Sequence, residues 1–190
     1  DCGGVAFDMI TTTLENGLNV IQSEGGQVTL AGDVSLATGA DLDLRSGGDV
    51  LQTGGAITAD ELTVTARPTL PASSSVTIEG AANQIGTLSV LDDGAGVRFT
   101  DVSAVNAGGL TLDAISIAGD LTVEAGGEID NTGALAITGA TSVAAVGQTV
   151  TLAISSNDFG GAVSVAGQDV TLVDANSISF GDIDATGDLT

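Results

Sequence analysis

Short runs in which apolar and polar residues alternate recur along almost the whole chain. Val28-Thr-Leu30, Leu42-Asp-Leu44, Leu62-Thr-Val64, Val76-Thr-Ile78 and Leu88-Ser-Val90 come first. Leu110-Thr-Leu112, Leu121-Thr-Val123, Leu135-Ala-Ile137, Val150-Thr-Leu152, Val163-Ser-Val165 and Val170-Thr-Leu172 follow. A period of two marks a strand with one buried face. Gly, Asn and Asp separate the runs, and these are turn formers. No segment sustains a 3.6-residue period with caps, so the pattern predicts essentially no helix. The opening Val5-Ala-Phe-Asp-Met-Ile10 fits the alternation least.

The runs belong to a longer repeat. Asp101 to Thr122 aligns without a gap on Asp169 to Thr190, and nine of the 22 paired positions are identical, ending in Gly-Asp-Leu-Thr in both copies. The same 68-residue offset taken backwards reaches Asp33-Val-Ser-Leu36. Two further echoes stand at offsets of 72 and 74: Leu51-Gln-Thr-Gly-Gly-Ala-Ile57 with Val123-Glu-Ala-Gly-Gly-Glu-Ile129, and the segment Val76 to Gly86 with Val150 to Gly160. Repetition on this scale points to stacked modules rather than a globular fold.

Strands at about 7 to 15 residue intervals divide the 68-residue unit into three rungs of about 20 to 25 residues, the size of one coil of a parallel β-helix. The expected fold is therefore all-β, a parallel β-helix of about eight or nine coils. At roughly 4.8 Å per coil it would form a rod on the order of 40 Å long. Residues 17–190 form the repeat segment, with copies anchored at Asp33, Asp101 and Asp169. Residues 1–16 are expected to be an irregular start or the remnant of a preceding coil. The chain starts in mid-pattern and stops at Gly187-Asp-Leu-Thr190, as a fragment of a longer protein would. An antiparallel immunoglobulin-type sandwich is the alternative. It calls for Trp or Tyr anchors and regular hairpin turns. The chain has no Trp or Tyr, and only Asn16-Gly17 and Asp93-Gly94 read as such turns.

Composition sharpens this picture. Hydrophobic residues make up 43% of the chain, nearly all aliphatic, with four Phe as the only aromatics. There are 28 Gly, which suit tight corners. Against 25 acidic residues stand three Arg (Arg45, Arg67, Arg98), with no Lys and no His, for a net charge of −22. Such a charge repels nucleic acid and anionic lipid and keeps a long rod soluble. No apolar run approaches the length of a spanning helix, and no signal peptide is visible. Cys2 is the only cysteine, so it forms no internal disulfide and reads as a free thiol.

The wording of the repeat resembles a known family. Asn157-Asp-Phe-Gly-Gly-Ala-Val-Ser-Val165 runs into Asp169-Val-Thr-Leu-Val-Asp-Ala-Asn176, and Gly119-Asp-Leu-Thr-Val-Glu-Ala-Gly-Gly-Glu-Ile129 precedes them. These stretches are similar to the repeat region of filamentous-haemagglutinin-like exoproteins of Gram-negative bacteria, which include two-partner-secreted adhesins and autotransporter passengers. The resemblance covers roughly residues 17 to 190. It implies a right-handed β-helix shaft, exported unfolded through an outer-membrane pore and folded outside. The conserved N-terminal secretion domain of that family is not recognisable here.

Candidate chemistry is sparse. Without His or Lys, and with no base for Cys2, the common nucleophile arrangements fail. A β-helix enzyme acting on acidic polysaccharide would need cationic groups, and a glycosidase would pair its two carboxylates with aromatic sugar platforms. The chain is expected not to be an enzyme, with that polysaccharide-acting class as a remote alternative. Oxygen-rich pairs suit Ca²⁺, which makes Asp41, Asp43, Asp92, Asp93, Asp174 (with Asn176), Asp182 and Asp184 the candidate calcium ligands. The favoured reading of the same residues is a solvated acidic face that keeps rods apart. Neither the EF-hand loop nor the calcium β-roll nonapeptide is present.

Asp33, Asp49, Asp101, Asp120, Asp169 and Asp188 stand just before strands. Each is expected to shape its corner by bonding its own backbone. Asn83 and Asn157 are expected at turn or ladder positions. An ice-binding face would need a Thr ladder, and Thr11-Thr-Thr13 and Thr63-Val-Thr65 do not extend into one. The expected function is the structural shaft of a large secreted or surface-exposed bacterial adhesin, located outside the cell and associated with the outer membrane. The alternative is a segment of a self-assembling extracellular filament, sheath or matrix. Expected partners are other copies of the chain, end to end or side by side, and an unidentified surface ligand, with no nucleic acid and no membrane insertion.

Overall fold

The computed structural model describes the backbone at residues 5–7, 10–11 and 18–190, and side chains from residue 19 onward. Cys2, Thr12, Thr13 and the Asn16-Gly17 turn lie outside these residues. The described chain is all strand, turn and bend, without helix. Every strand pairing is parallel. Parallel neighbours cannot be joined by a hairpin. Here the connection is the rest of the coil, so the chain winds as a β-solenoid of about eight turns.

Three ladders run up the rod. The first stacks nine strands: Val5–Phe7, Val28–Leu30, Val50–Gln52, Val76–Ile78, Val102–Asn106, Leu121–Ala125, Thr141–Ala144, Ala162–Gly167 and Ser179–Ala185. The second runs from Ile10–Thr11 through Val34–Ser35 and on to Ile129–Asn131, Val150–Leu152 and Val170–Leu172. The third holds Leu18–Ser23 and Asp41–Ser46 near one end, and Leu135–Ile137 and Asp158–Phe159 near the other. In mid-rod the long strands Ile57–Ala66, Gln84–Leu91 and Leu110–Ile117 serve the second and third ladders together. Val5–Phe7 and Ile10–Thr11 pair with the following coil.

The alternation of the sequence becomes columns of side chains. Val28, Val50, Val76, Val102 and Leu121 stack in register on the first ladder, each no more than 1% exposed. Leu42, Leu62, Leu88 and Leu112 form another column, fully buried. Each such burial contributes roughly 1.5–3 kcal/mol. Together such columns form one continuous, largely aliphatic core from Val28 to Val170. Phe99 is the largest fully buried side chain and lies in one of the longer coils.

The 68-residue offset does not stack like on like. Val34 and Val170 belong to the second ladder, but Val102 belongs to the first. The step from Val34 to Val102 ends one face short of three coils, and the step from Val102 to Val170 ends one face beyond. Coil length explains this: the first-ladder steps from Val28 to Val50, Val76, Val102, Leu121 and Thr141 are 22, 26, 26, 19 and 20 residues. What repeats at 68 is the local chemistry of a corner, used at different corners of the coil. The 72-residue echo is a true structural equivalence, because Leu51 to Ile57 and Val123 to Ile129 both lead from the first ladder to the second through a Gly-Gly corner. At the first of these, Gly55 has φ +69 and its Cα faces the backbone of Gly32, so a side chain is excluded on both counts.

Thr141 interrupts the first column between Leu121 and Val163. It is 1% exposed and its hydroxyl has no partner. A buried donor left unpaired costs on the order of 1–3 kcal/mol. Thr141→Val keeps the shape and removes that penalty, so it is expected to stabilise the protein by roughly 1 kcal/mol. Denaturant unfolding of the variant against the parent chain checks this, and a destabilised variant would contradict it.

Candidate functional site

The polar residues that the sequence singles out gather at the corners of the coil, in two distinct devices. The first is a carboxylate clamp on the outside. Asp33 Oδ1 accepts a hydrogen bond from the backbone N–H of Ala56 at 2.9 Å, and Asp49 Oδ1 accepts from Ser75 at 3.0 Å. Asp101 accepts from Asp120 at 2.8 Å, Asp120 from Ala140 at 2.7 Å, and Asp169 from Asp188 at 2.9 Å. In every case the donor sits in the next coil, directly above the carboxylate. The expectation that these aspartates bond their own backbone is thus corrected: they tie successive coils together. At these corner N–H groups the carboxylate supplies the acceptor that a strand carbonyl supplies on the flat faces.

The clamp explains the glycine of the Gly-Asp motif. A Cβ on Gly119, Gly139 or Gly187 would fall on the carboxylate of Asp101, Asp120 or Asp169 respectively, well inside contact distance. Glycine makes room for the carboxylate arriving from below, and in Gly119-Asp120 the following Asp then reaches to the coil above, onto the Ala140 N–H. That dipeptide is both a socket and a plug.

The second device is a set of buried amides inside the corners. Asn83, fully buried, makes four hydrogen bonds: it donates to Gln52 Oε1 (2.9 Å) and the Val105 carbonyl (3.1 Å), and accepts from Gln52 Nε2 (2.9 Å) and the Ile57 N–H (2.8 Å). Asn157, also fully buried, accepts from Asn131 Nδ2 (2.8 Å) and the Leu135 N–H (3.1 Å). Asn106 bonds both the N–H and the carbonyl of Ile85, at 2.9 and 3.1 Å. These contacts span 21 to 31 residues, one coil or slightly more. The ladder position expected for Asn83 and Asn157 is where they stand. Gln52, Asn106 and Asn131 were not anticipated, although a signal existed. Each lies two residues beyond an inward apolar residue (Val50, Ala104, Ile129) and just before a turn, so period two already aims it inside.

The candidate calcium ligands are dispersed. Asp43 is buried and held by Arg45, whose Nε and Nη2 both donate to Asp43 Oδ2 at 2.9 and 2.6 Å. That hydrogen bond and the adjacent charge raise the Arg45 pKa. Asp41 lies two residues away on the same strand. Asp92 and Asp93 shape a turn: Asp92 accepts from the Gly94 N–H, and Asp93 accepts from those of Val97 and Ala95. The Val97 bond, the largest cause, and the Ala95 bond hold the Asp93 carboxyl below the usual range.

Asp174 accepts from the backbone of Phe159 and Asn176, and Asn176 donates to Asp158. Asp182 and Asp184 are exposed on the strand Ser179–Ala185. Among the described residues no three acidic side chains converge as a cation site. Thr63 and Thr65 stack on Asp43 and Arg45 below and on Ser89 and Leu91 above, not on further threonines. No described helix is long and apolar enough to cross a membrane.

Residues 100–166 match a family described as repeats of unknown function (DUF5649). The matched stretch starts at the corner before Val102 and ends in the strand Ala162–Gly167, taking in the Asp101 and Asp120 clamps and the Asn131–Asn157 pair. It is three coils long on the first ladder. No curated protein and no solved structure matches the chain.

Two outcomes follow. Asn83→Ala leaves the Ile57 N–H and the Val105 carbonyl without their partner inside the core. It is expected to cost roughly 2–4 kcal/mol, with amide exchange at Ile57 accelerated in proportion. Exchange at Ile57 unchanged from the parent would contradict the network. The plug and socket should also be coupled. Gly187→Ala is expected to destabilise the chain clearly more in the parent than in an Asp169→Ala background, because the methyl then meets no carboxylate. Equal costs in the two backgrounds, in a double-mutant cycle, would show that the two residues do not interlock.

Proposed function

We propose that this chain is a shaft segment of a large secreted or surface-exposed bacterial protein with adhesin-like function. Its role is mechanical: to hold a distal binding region away from the cell. The observation that carries this reading is the continuous columnar core. The inward strand positions are aliphatic in nearly every coil, and the conspicuous polar residues at the corners serve to join one coil to the next. A chain devoted in this way to its own axial continuity suits a spacer. The net charge of −22 suits an exposed rod that must not adhere to its neighbours. The likeness of its repeats to haemagglutinin-type exoproteins supports the extracellular setting. On this reading the segment performs no catalysis, and calcium acts at most as a counter-ion.

A self-assembling filament is the second reading.

Small-angle scattering of the purified chain, with and without millimolar calcium, separates the readings. A monodisperse rod on the order of 40 Å long at every concentration is expected for the shaft. Growth into fibres with rising concentration would transfer the assignment to the filament. An antibody against residues 19–190 should label intact cells of the source bacterium, and label seen only after permeabilisation would overturn the surface assignment.

A further inference from the structure

The rod changes girth in its middle, and the change creates a cleft. Two successive coils, Val50 to Val76 and Val76 to Val102, take 26 residues each, and the next two take 19 and 20. The surplus lies in two loops, residues 67–75 and 92–101, at the corner leading into the first ladder. In the following coils that corner shrinks to Ala118-Gly119-Asp120 and Thr138-Gly139-Ala140. The resulting step is an open cleft of about 540 Å³ lined by Leu70, Ala72, Val97, Arg98, Ala118 and Thr138. Its volume lies within the range of small-molecule sites.

The walls are tied in place. In the first loop Leu70 N–H donates to the Arg67 carbonyl at 2.9 Å and Ser74 N–H to that of Pro71 at 3.1 Å. Arg67 pairs with Glu24 at 2.5 Å, and Thr69 Oγ1 donates to the Glu24 carbonyl. The second loop is held by Asp93 and by the Thr100 N–H bond to the Ser74 carbonyl at 2.7 Å, over the fully buried Phe99. The two loops therefore support each other, and the cleft exists before any ligand arrives.

Its charge is the exception in the molecule. Arg45 is engaged by Asp43 and Arg67 by Glu24. The third arginine, Arg98, has no ion-pair partner among the described residues, and it stands half-buried at the wall of this apolar cleft. A guanidinium beside apolar surface is complementary to a carboxylate carried on an apolar body, because its fork matches the two carboxylate oxygens. Asp92 and Asp93 on the same loop do not line the cleft and accept from the N–H groups of Gly94, Ala95 and Val97, so the single unpaired guanidinium is matched to a single carboxylate. At physiological salt the Debye length is about 8 Å, so charges farther along the rod are largely screened at the cleft.

We propose that the cleft at the Arg98 step is a binding site for a small amphipathic monocarboxylate. The apolar body lies against Leu70, Val97 and Ala118, and the carboxylate sits on Arg98. The site is independent of whether the rod serves as a shaft or a filament.

Calorimetric titration of the chain with 2-naphthoate and with its neutral isostere 2-naphthamide tests this at physiological salt. Saturable 1:1 binding of the carboxylate is expected. Affinity for the amide, and for the carboxylate in the Arg98→Gln variant, should be roughly tenfold to hundredfold weaker, the range of one charge-assisted hydrogen bond. Ala118→Leu, at an exposed position, should weaken binding by filling the cleft while leaving the melting temperature near that of the parent. Absence of saturable naphthoate binding would overturn the proposal. So would equal affinity for the two probes, or undiminished affinity in a folded Arg98→Gln variant.

Discussion

Everything in this molecule depends on the fixed rise between parallel strands. Neighbouring strands must lie about 4.8 Å apart, so an inward side chain always has the same two neighbours, one coil below and one coil above. A column such as Leu42, Leu62, Leu88 and Leu112 is the natural answer, since side chains of one size and shape stack without gaps. The columns also show why aromatic residues are scarce. A large ring in one coil demands adjustment in both neighbours, and only two rings, Phe99 and Phe159, are buried among the described residues.

The flat faces satisfy their own backbone through the ladders, whereas several corner N–H groups, such as those of Ala56, Ser75 and Ala140, take a side-chain acceptor instead. Two answers to that problem divide along the boundary of the core. Inside, where an ion would be costly to bury, neutral amides both donate and accept, as Asn83 does in full. Outside, a carboxylate accepts and leaves no donor of its own unpaired, which suits a lone corner N–H. Part of the extreme acidity of the chain is thus a consequence of how its corners are closed. Asp33, Asp49, Asp101, Asp120 and Asp169 are negative because the coil above offers each of them an N–H.

The fold was legible in the sequence because its controlling pattern is local. Alternation over three residues, as in Val76-Thr-Ile78, places a strand and its buried face without knowledge of anything distant. Which strand stacks on which was less legible. The Gly-Asp-Leu-Thr signature at residues 119–122 and 187–190 marks a corner, but Leu121 pairs on the first ladder and Leu189 bridges to Val170 on the second. A motif that solves a corner serves at any corner, so identity at a fixed offset does not certify equivalence in space. Arg98 was visible as one of three arginines, yet the step that gives it an apolar cleft arises from coil lengths that only the register reveals.

The carboxylate clamps all point the same way along the axis: an earlier coil supplies the acceptor and a later coil the donor, and at Asp101, Asp120 and Asp169 the later coil also supplies the glycine that admits it. The rod therefore has a head and a tail that differ chemically, and it works as a one-way template. Each completed turn presents finished acceptors only to the part of the chain that comes after it. The order in which residues leave a ribosome is then also the order in which turns can be laid down, each upon a surface already prepared to receive it.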